Sequence, residues 1–247
     1  MEARIILDSG HDGPWNMACD EALAHYAGET GVPVLRLYQW KEPTLSLGYF
    51  QSFAERSSHE PSAGCTVVRR ASGGGALLHD HECTYSLAIP NSTVPDGQSI
   101  IELIHRTLCQ CLRDRGLPAA FWGEPIAAER EAEFLCFRRR TPHDLVLNDF
   151  KIVGSAQRKR KRVLMQHGGI LLARSKHAPE LPGIADLAVD LATPVDVEDL
   201  TNDWIDTLMS ELSWQPEHSE VSLEEKELAN HLRNSRFLNS DWTFKRI

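Results

Sequence analysis

The chain has 247 residues, 42% hydrophobic and 25% charged, enough for a sizeable core in one large domain or two small ones. Its formal charge of −9, from 26 Lys+Arg against 35 Asp+Glu, argues against generic nucleic-acid binding. No basic segment leading into an apolar stretch opens the chain, and no apolar run approaches the roughly 20 residues of a membrane span, so no membrane contact and a cytoplasmic location are expected.

In chain order, a strand is expected at Arg4–Leu7, then a helix starting near Asn16, a good N-cap, with Asp20 and Glu21 in its first turns and Met17, Leu23 and Ala24 on a buried stripe. Two strands follow, about Val34–Gln39 and Thr44–Gly48, separated by Pro43. Thr66–Arg70 leads into Gly73-Gly74-Gly75, and Tyr85, Leu87 and Ile89 alternate beyond it, a pattern that predicts a hairpin or meander with its loop facing a ligand. Helical spacing of Ile100, Ile101, Ile104, Leu108, Cys111 and Leu112 predicts a helix over about Gln98–Asp114, closed by Gly116 and Pro118, with Cys111 in the core.

A charged segment then runs from Glu124-Pro125 to Cys136. Asp144–Leu147, an Asn148-Asp149 turn and Phe150–Gln157 form a predicted hairpin, with Val163–Ala173 as a further strand. Beyond it, Leu200, Trp204, Ile205, Leu208, Met209 and Leu212 mark an amphipathic helix, and Ser222-Leu223-Glu224-Glu225 is a capping box for another. Six cysteines without CxxC spacing are expected to be reduced thiols, and no metal site is predicted. The uneven spacing of strands and helices predicts an α+β fold, a mixed β-sheet flanked by helices. The expected organisation is a single domain over 1–247, with 195–247 as a helical carboxy-terminal cover.

Chemistry concentrates at Arg69-Arg70-Ala71-Ser72-Gly73-Gly74-Gly75-Ala76-Leu77-Leu78-His79-Asp80. Three residues without Cβ atoms let a ligand lie against the backbone and reach its N–H groups, with cations before them and a His-Asp pair after. A bare Gly-Gly-Gly is otherwise a bulge or turn between strands. With these flanks it resembles the signature of the lipoate–protein ligase and octanoyltransferase superfamily. The resemblance continues through Asn16-Met17-Ala18-x-Asp20-Glu21-Ala22-Leu23, Trp40-x-x-Pro43-x-Leu45-Ser46-x-Gly48, Lys151-Ile152-x-Gly154-Ser155-Ala156-Gln157 and Gln166-His167-Gly168. It implies the lipoate/biotin protein ligase catalytic-domain fold. The arginine-punctuated glycine loop of biotin ligases is absent, which argues against biotin ligation.

The resemblance implies that Lys151 contacts the acyl carbonyl, where an ammonium stabilises developing negative charge. Cys136, fifteen residues earlier, matches the Cys-Phe segment of octanoyltransferases that work through an acyl-cysteine; Arg138, Arg139 and Arg140 beside it favour the nucleophilic thiolate. Arg70, Gly73, Gly74, Gly75, His79, Gly154 and Ser155 complete the expected substrate site, with Arg70 orienting the glycine loop or meeting a donor phosphate and His79 near the reacting carbonyl. Two departures stand out: the triple arginine, where small or acidic residues are expected, and the glycine-free Asn148-Asp149-Phe150 turn.

The expected reaction moves an octanoyl group from octanoyl-acyl carrier protein through a Cys136 thioester to a lysine of a lipoyl domain or a glycine cleavage H protein, without a cofactor. An ATP-dependent lipoate ligase, an octanoyl amidotransferase between lipoyl domains, and a non-catalytic carrier-binding module remain alternatives. Arg158-Lys159-Arg160-Lys161-Arg162, five consecutive cations at a predicted hairpin tip, would steer an acidic partner.

Overall fold

The computed structural model describes residues 1–94, 99–123, 133–188 and 194–245. Strand β1 (Glu2–Leu7) leads to helix α1 (Gly13–Thr30), whose start is set by Asp12: its carboxylate accepts the Trp15 amide, Pro14 fills the first turn, and Gly31 ends the helix at φ +78°. The cap lies one turn before the predicted Asn16. Asn16 instead accepts a bond from Arg36 and donates to the Gln39 carbonyl, tying α1 to the strand beneath it.

Next come β2 (Val34–Tyr38), β3 (Thr44–Leu47), β4 (Thr66–Arg69), β5 (Leu77–His79), β6 (Glu82–Pro90) and α2 (Ile100–Asp114), capped by Ser99. They are followed by β7 (Ala120–Phe121), β8 (Leu145–Leu147), β9 (Phe150–Lys159), β10 (Val163–Leu171), α3 (Ile184–Leu187) and α4 (Val197–Leu212). β11 (Gln215–His218), α5 (Leu223–Leu232) and α6 (Ser240–Thr243) follow, with short 3₁₀ turns between some of these elements. Gln98 and the charged stretch from Glu124-Pro125 to residue 132 lie outside the described residues.

An eight-stranded sheet runs β11-β1-β2-β6-β10-β9-β8-β7, parallel at β11/β1 and β1/β2 and antiparallel elsewhere; a second sheet runs β4-β3-β5. This is the mixed, helix-flanked sheet that the spacing predicts. On one face, Leu35, Leu37, Tyr85 and Leu87 pack with Leu108 of α2 and Trp204 and Leu208 of α4. On the other, Ile6, Val34, Tyr38 and Met165 pack with Met17, Ala22 and Leu23 of α1. Each fully buried large aliphatic side chain contributes about 1.5–3 kcal/mol. The capping box forms, since Ser222 and Glu225 exchange bonds at the start of α5. The predicted hairpin also forms, with Asn148 at φ 48° and Asp149 at φ 64° making the left-handed two-residue turn that antiparallel strands favour. Among the described residues no helix is long and apolar enough to cross a membrane.

Two expectations fail. The strands on either side of Gly73-Gly74-Gly75 are not a hairpin: β4 pairs in parallel with one edge of β3 and β5 antiparallel with the other, so the glycine segment arches over the end of β3. The carboxy-terminal segment is not purely helical either. Gln215–His218, exposed throughout and without apolar alternation, is held as a strand by backbone pairing with β1.

Candidate active site

A cavity of about 180 Å³ lies between the two sheets. Its floor is a row of four residues in register across the large sheet. Gly154 of β9 sits opposite Gly169 of β10, Gly169 opposite Thr84 of β6, and Thr84 opposite Tyr38 of β2. All four line the cavity. Without Cβ atoms, Gly154 lets the Lys151 side chain and Gly169 the Glu82 carboxylate lie close over the sheet, and the row makes a trough that ends on Tyr38, three strand spacings or roughly 14 Å from Gly154. The Tyr38 hydroxyl donates to Asp20 at 2.9 Å, and Asp20 is held in turn by Arg36 at 2.8 Å, which fixes the end wall.

The glycine segment forms the roof over the other end. Gly74 adopts φ +94°, and a methyl there would lie 3.8 Å from the Cys136 thiol. Cys136 hangs from this segment by backbone bonds: its amide donates to the Ala76 carbonyl at 2.7 Å, and the Ala76 amide donates to the Phe134 carbonyl at 3.0 Å. The half-buried thiol therefore opens into the cavity from one turn of 3₁₀ helix, Cys136–Arg138. Arg70 is fully buried and spans the arch from beneath, donating to Ser46 O at 2.8 Å, Gly73 O at 2.8 Å and Gly75 O at 2.6 Å. Burial pulls its pKa down to about 10, opposed by its attraction to the Cys136 thiol and helped by Arg69.

The three arginines expected to bathe Cys136 in positive charge point elsewhere. Arg138 reaches Glu133 at 3.3 Å, Arg139 donates to the Glu133 carbonyl at 2.8 Å, and Arg140 donates to the Asp149 carbonyl while lying 4.6 Å from the Trp122 ring centre. Arg70 reaches the arch beside the thiol: the methyl position at Gly74 lies 3.0 Å from its Nη2 and 3.8 Å from Cys136 Sγ.

Lys151, at the start of β9, enters the cavity beside Gly154. Its ammonium lies 2.8 Å from the Asp144 carboxylate, and both side chains are only 4% exposed. A second donor reaches the Arg139 carbonyl at 3.4 Å, and the Phe137 ring centre lies 5.1 Å away. Asp144 also accepts the Thr141 amide at 2.6 Å, so the carboxylate is fixed before it meets the lysine.

Ser155 lines the cavity, but its hydroxyl is already engaged by His105 and by Gln166 Nε2 at 3.3 Å. His105 of α2 donates through Nδ1 to the His143 carbonyl, which can only accept; its Nε2 is therefore an acceptor shared by the Ser155 hydroxyl at 3.0 Å and the Tyr85 hydroxyl at 3.3 Å. Burial pulls the His105 pKa down to about 4, against the opposing pull of the His143 carbonyl, and keeps the ring neutral. His167 is likewise neutral, drawn down to about 3 by burial first and then by Arg70 and His79; it bonds the Ser72 hydroxyl.

The structure brings Cys136, Lys151, Arg70, Gly73, Gly74, His79, Gly154 and Ser155 to one cavity. Gly75 stands just behind, where a methyl would meet the Phe134 carbonyl at 3.0 Å. His79, the last residue of β5, lines the same cavity, stacked on Trp40 at 3.9 Å, with its nitrogens bonded to Glu82 at 2.6 Å and Ser46 at 2.7 Å. Sequence reasoning missed Asp144, Tyr38, Thr84, Gly169 and the ring of His167. The pair Gly168-Gly169 inside an apolar strand was the available signal, since glycine within a strand marks close backbone approach.

The profile of the lipoyl protein ligase A/B catalytic domain matches residues 12–178. The octanoyltransferase LipM of Lysinibacillus sphaericus is 31% identical over 277 aligned positions that cover all of both chains, and that of Bacillus subtilis is 29% identical over 98% of both. Among solved structures, the bipartite lipoate protein ligase with its E2 lipoyl domain from Thermoplasma acidophilum matches with a TM-score of 0.78 at 20% identity, over 100% of this chain and 98% of the other. A lipoate-protein ligase A bound with ATP matches with a TM-score of 0.78 at 21% identity over the whole of both chains. At such identities these structures speak to the fold.

Proposed function

The chain belongs to the lipoyl protein ligase A/B catalytic-domain family, and on that premise we propose that it is an octanoyltransferase of lipoate biosynthesis working through an acyl-Cys136 thioester. The observation that carries the proposal is a thiol under the arch of Gly74, at the mouth of a trough that also holds a buried ammonium. Full-length similarity to octanoyltransferases supports the acyl group.

In the first step the Cys136 thiolate attacks the thioester carbonyl of octanoyl-acyl carrier protein. A carbon–sulfur bond to Cys136 forms, the bond to the carrier's thiol breaks, and that thiol leaves with the proton. The eight-carbon chain extends from the thiol through the cavity toward Tyr38. An ammonium has three N–H donors; Asp144 and Arg139 engage two of those of Lys151, and the third serves the oxyanion. In the second step the amine of a lysine on a lipoyl domain attacks the acyl-Cys136 carbonyl. The amide forms, the carbon–sulfur bond breaks, and the proton lost by the amine returns to the thiolate. The Ser155 hydroxyl is engaged by His105 and Gln166, so side-chain help for the oxyanion falls to Lys151.

The test is intact mass spectrometry of the protein incubated with octanoyl-acyl carrier protein and no ATP, beside Cys136→Ala. One octanoyl adduct, labile to neutral hydroxylamine and missing from the variant, is the expected result. Absence of an adduct on both, together with ATP–pyrophosphate exchange, would replace the proposal with an ATP-dependent ligase.

A further inference from the structure

The cation run at the β9–β10 turn gains company in the folded chain. Arg158 and Arg160, on one face of β9 and its turn, reach Glu21 of α1 at 3.5 and 2.6 Å, and Arg236 reaches the same carboxylate at 2.6 Å. The Glu21 side chain is 4% exposed, while the three arginine side chains remain about 30% open. The Lys245 ammonium adds a fourth cation, 3.4 Å from the Trp242 ring centre and 3.6 Å from that of Tyr49; Arg236 lies 4.3 Å from Trp242 and Arg158 5.9 Å from Tyr49. Among the described residues, four cations gather around the Glu21 carboxylate here, on a chain of net −9. Phe50 projects beside it, 71% exposed, edge-on to Tyr49 at 4.8 Å.

This surface backs onto the catalytic arch. The Tyr49 amide donates to the Ser72 carbonyl at 2.8 Å, and the Trp242 indole donates to the Arg69 carbonyl at 2.8 Å. Two residues beyond Ser72, Gly74 meets Cys136.

We infer that this surface docks the acidic carrier protein that delivers the acyl group, and that the arginine cluster receives the phosphodiester joining the carrier to its thiol arm. The inference rests on the acyl-Cys136 reading. The planar guanidinium fork suits phosphate, and the cluster at Glu21 is built from arginine alone. Phe50 gives the interface an apolar contact, and the surrounding cations speed the encounter with an acidic partner.

The test measures acylation of Cys136 by rapid-quench mass spectrometry with octanoyl-acyl carrier protein, octanoyl-4′-phosphopantetheine and octanoyl-pantetheine, which lacks both protein and phosphate. Lys245→Glu and Phe50→Ala leave the Glu21 cluster intact, and Arg236→Gln removes one of its arms. With the carrier, kcat/KM is expected to fall about tenfold or more in Lys245→Glu and Arg236→Gln, with a shallower salt dependence. Octanoyl-pantetheine is expected to react unchanged throughout, and octanoyl-4′-phosphopantetheine to be slowed by Arg236→Gln but not by Phe50→Ala. Equal losses on all three donors, unchanged carrier kinetics, or a loss confined to the acceptor step would overturn the inference, the last by assigning the surface to the acceptor. Failure of every donor to acylate the wild-type protein would instead sink the acyl-Cys136 reading. Calorimetric titration of phosphopantetheinylated carrier protein onto Cys136→Ala then decides the docking: weaker binding by Lys245→Glu sustains the surface, and equal binding removes it.

Discussion

The side chain of Lys151 fills the space that a methyl on Gly154 would take: such a carbon would lie 2.3 Å from Lys151 Cε and 2.7 Å from its Nζ. Glycine at 154 is thus the condition for an ammonium that folds back over its own strand. Gly154→Ala is expected to push the ammonium off Asp144 and lower kcat about a hundredfold, since a misplacement near 1 Å costs that much. Urea unfolding should show a loss of stability as well, because separating the buried ammonium from its carboxylate leaves both charges uncompensated. A kcat within a few-fold of wild type would show that the lysine's position is not critical.

Asp144→Asn keeps the shape and removes the charge that holds Lys151. A buried ammonium without its counter-ion loses its proton more easily. The expected result is a kcat lower by about a hundredfold that partly recovers as pH falls, while KM stays close to wild type. A loss with no pH-dependent recovery would separate Asp144 from the charge of Lys151.

The end wall gives a specificity prediction. Tyr38→Ala opens the trough past Thr84 and is expected to raise the preference for dodecanoyl over octanoyl donors by about tenfold in kcat/KM. Tyr38→Phe loses only the bond to Asp20 and should keep the octanoyl preference. An unchanged profile in Tyr38→Ala would place the chain elsewhere.

Gly48 tests the arch itself. A methyl there would stand 1.9 Å from the Gly74 carbonyl, which is backbone and cannot swing aside. Gly48→Ala is expected to destabilise the protein by about 1–3 kcal/mol in urea unfolding, and to slow Cys136 acylation at the same time. Full stability would mean that the arch yields freely.

His105 and His167 predict an acid-side loss of stability. Their folded pKa values, about 4 and about 3, lie below the usual 6.5, so the unfolded chain takes up protons that the folded chain refuses. Their contribution is complete above pH 6.5 and is lost as pH falls toward those values. Between pH 6.5 and 5, above the main carboxylate range, His105→Asn should reduce the slope of unfolding free energy by about one proton, or ~1.4 kcal/mol per pH unit. An identical slope would mean that His105 is protonated in the folded state.

What could be read in the sequence was what is local. The glycine arch, Cys136, the Lys151 hairpin and the amphipathic helices each announce themselves within a dozen residues, through missing Cβ atoms, turn chemistry and apolar period. The trough could not be read, because Gly154, Gly169, Thr84 and Tyr38 become neighbours only through the register of four strands. Nor could the pairing of Asp144 with Lys151, since an aspartate before a short strand looks like an ordinary turn residue. The three arginines after Cys136 misled for a related reason: proximity along the chain says little about where a long side chain places its charge. Arg70, 66 residues away, is the guanidinium that holds the Gly73–Gly75 arch beside the thiol.

The large sheet ends at β11, where the sequence reads Gln215-Pro216-Glu217-His218. A rim strand with open amides and carbonyls invites a second copy of the chain to add its own. Pro216 has no amide to offer, and Glu217 would bring like charges together in a stacked pair. A border that recruits no strands keeps this edge of the sheet from ending in a fibre.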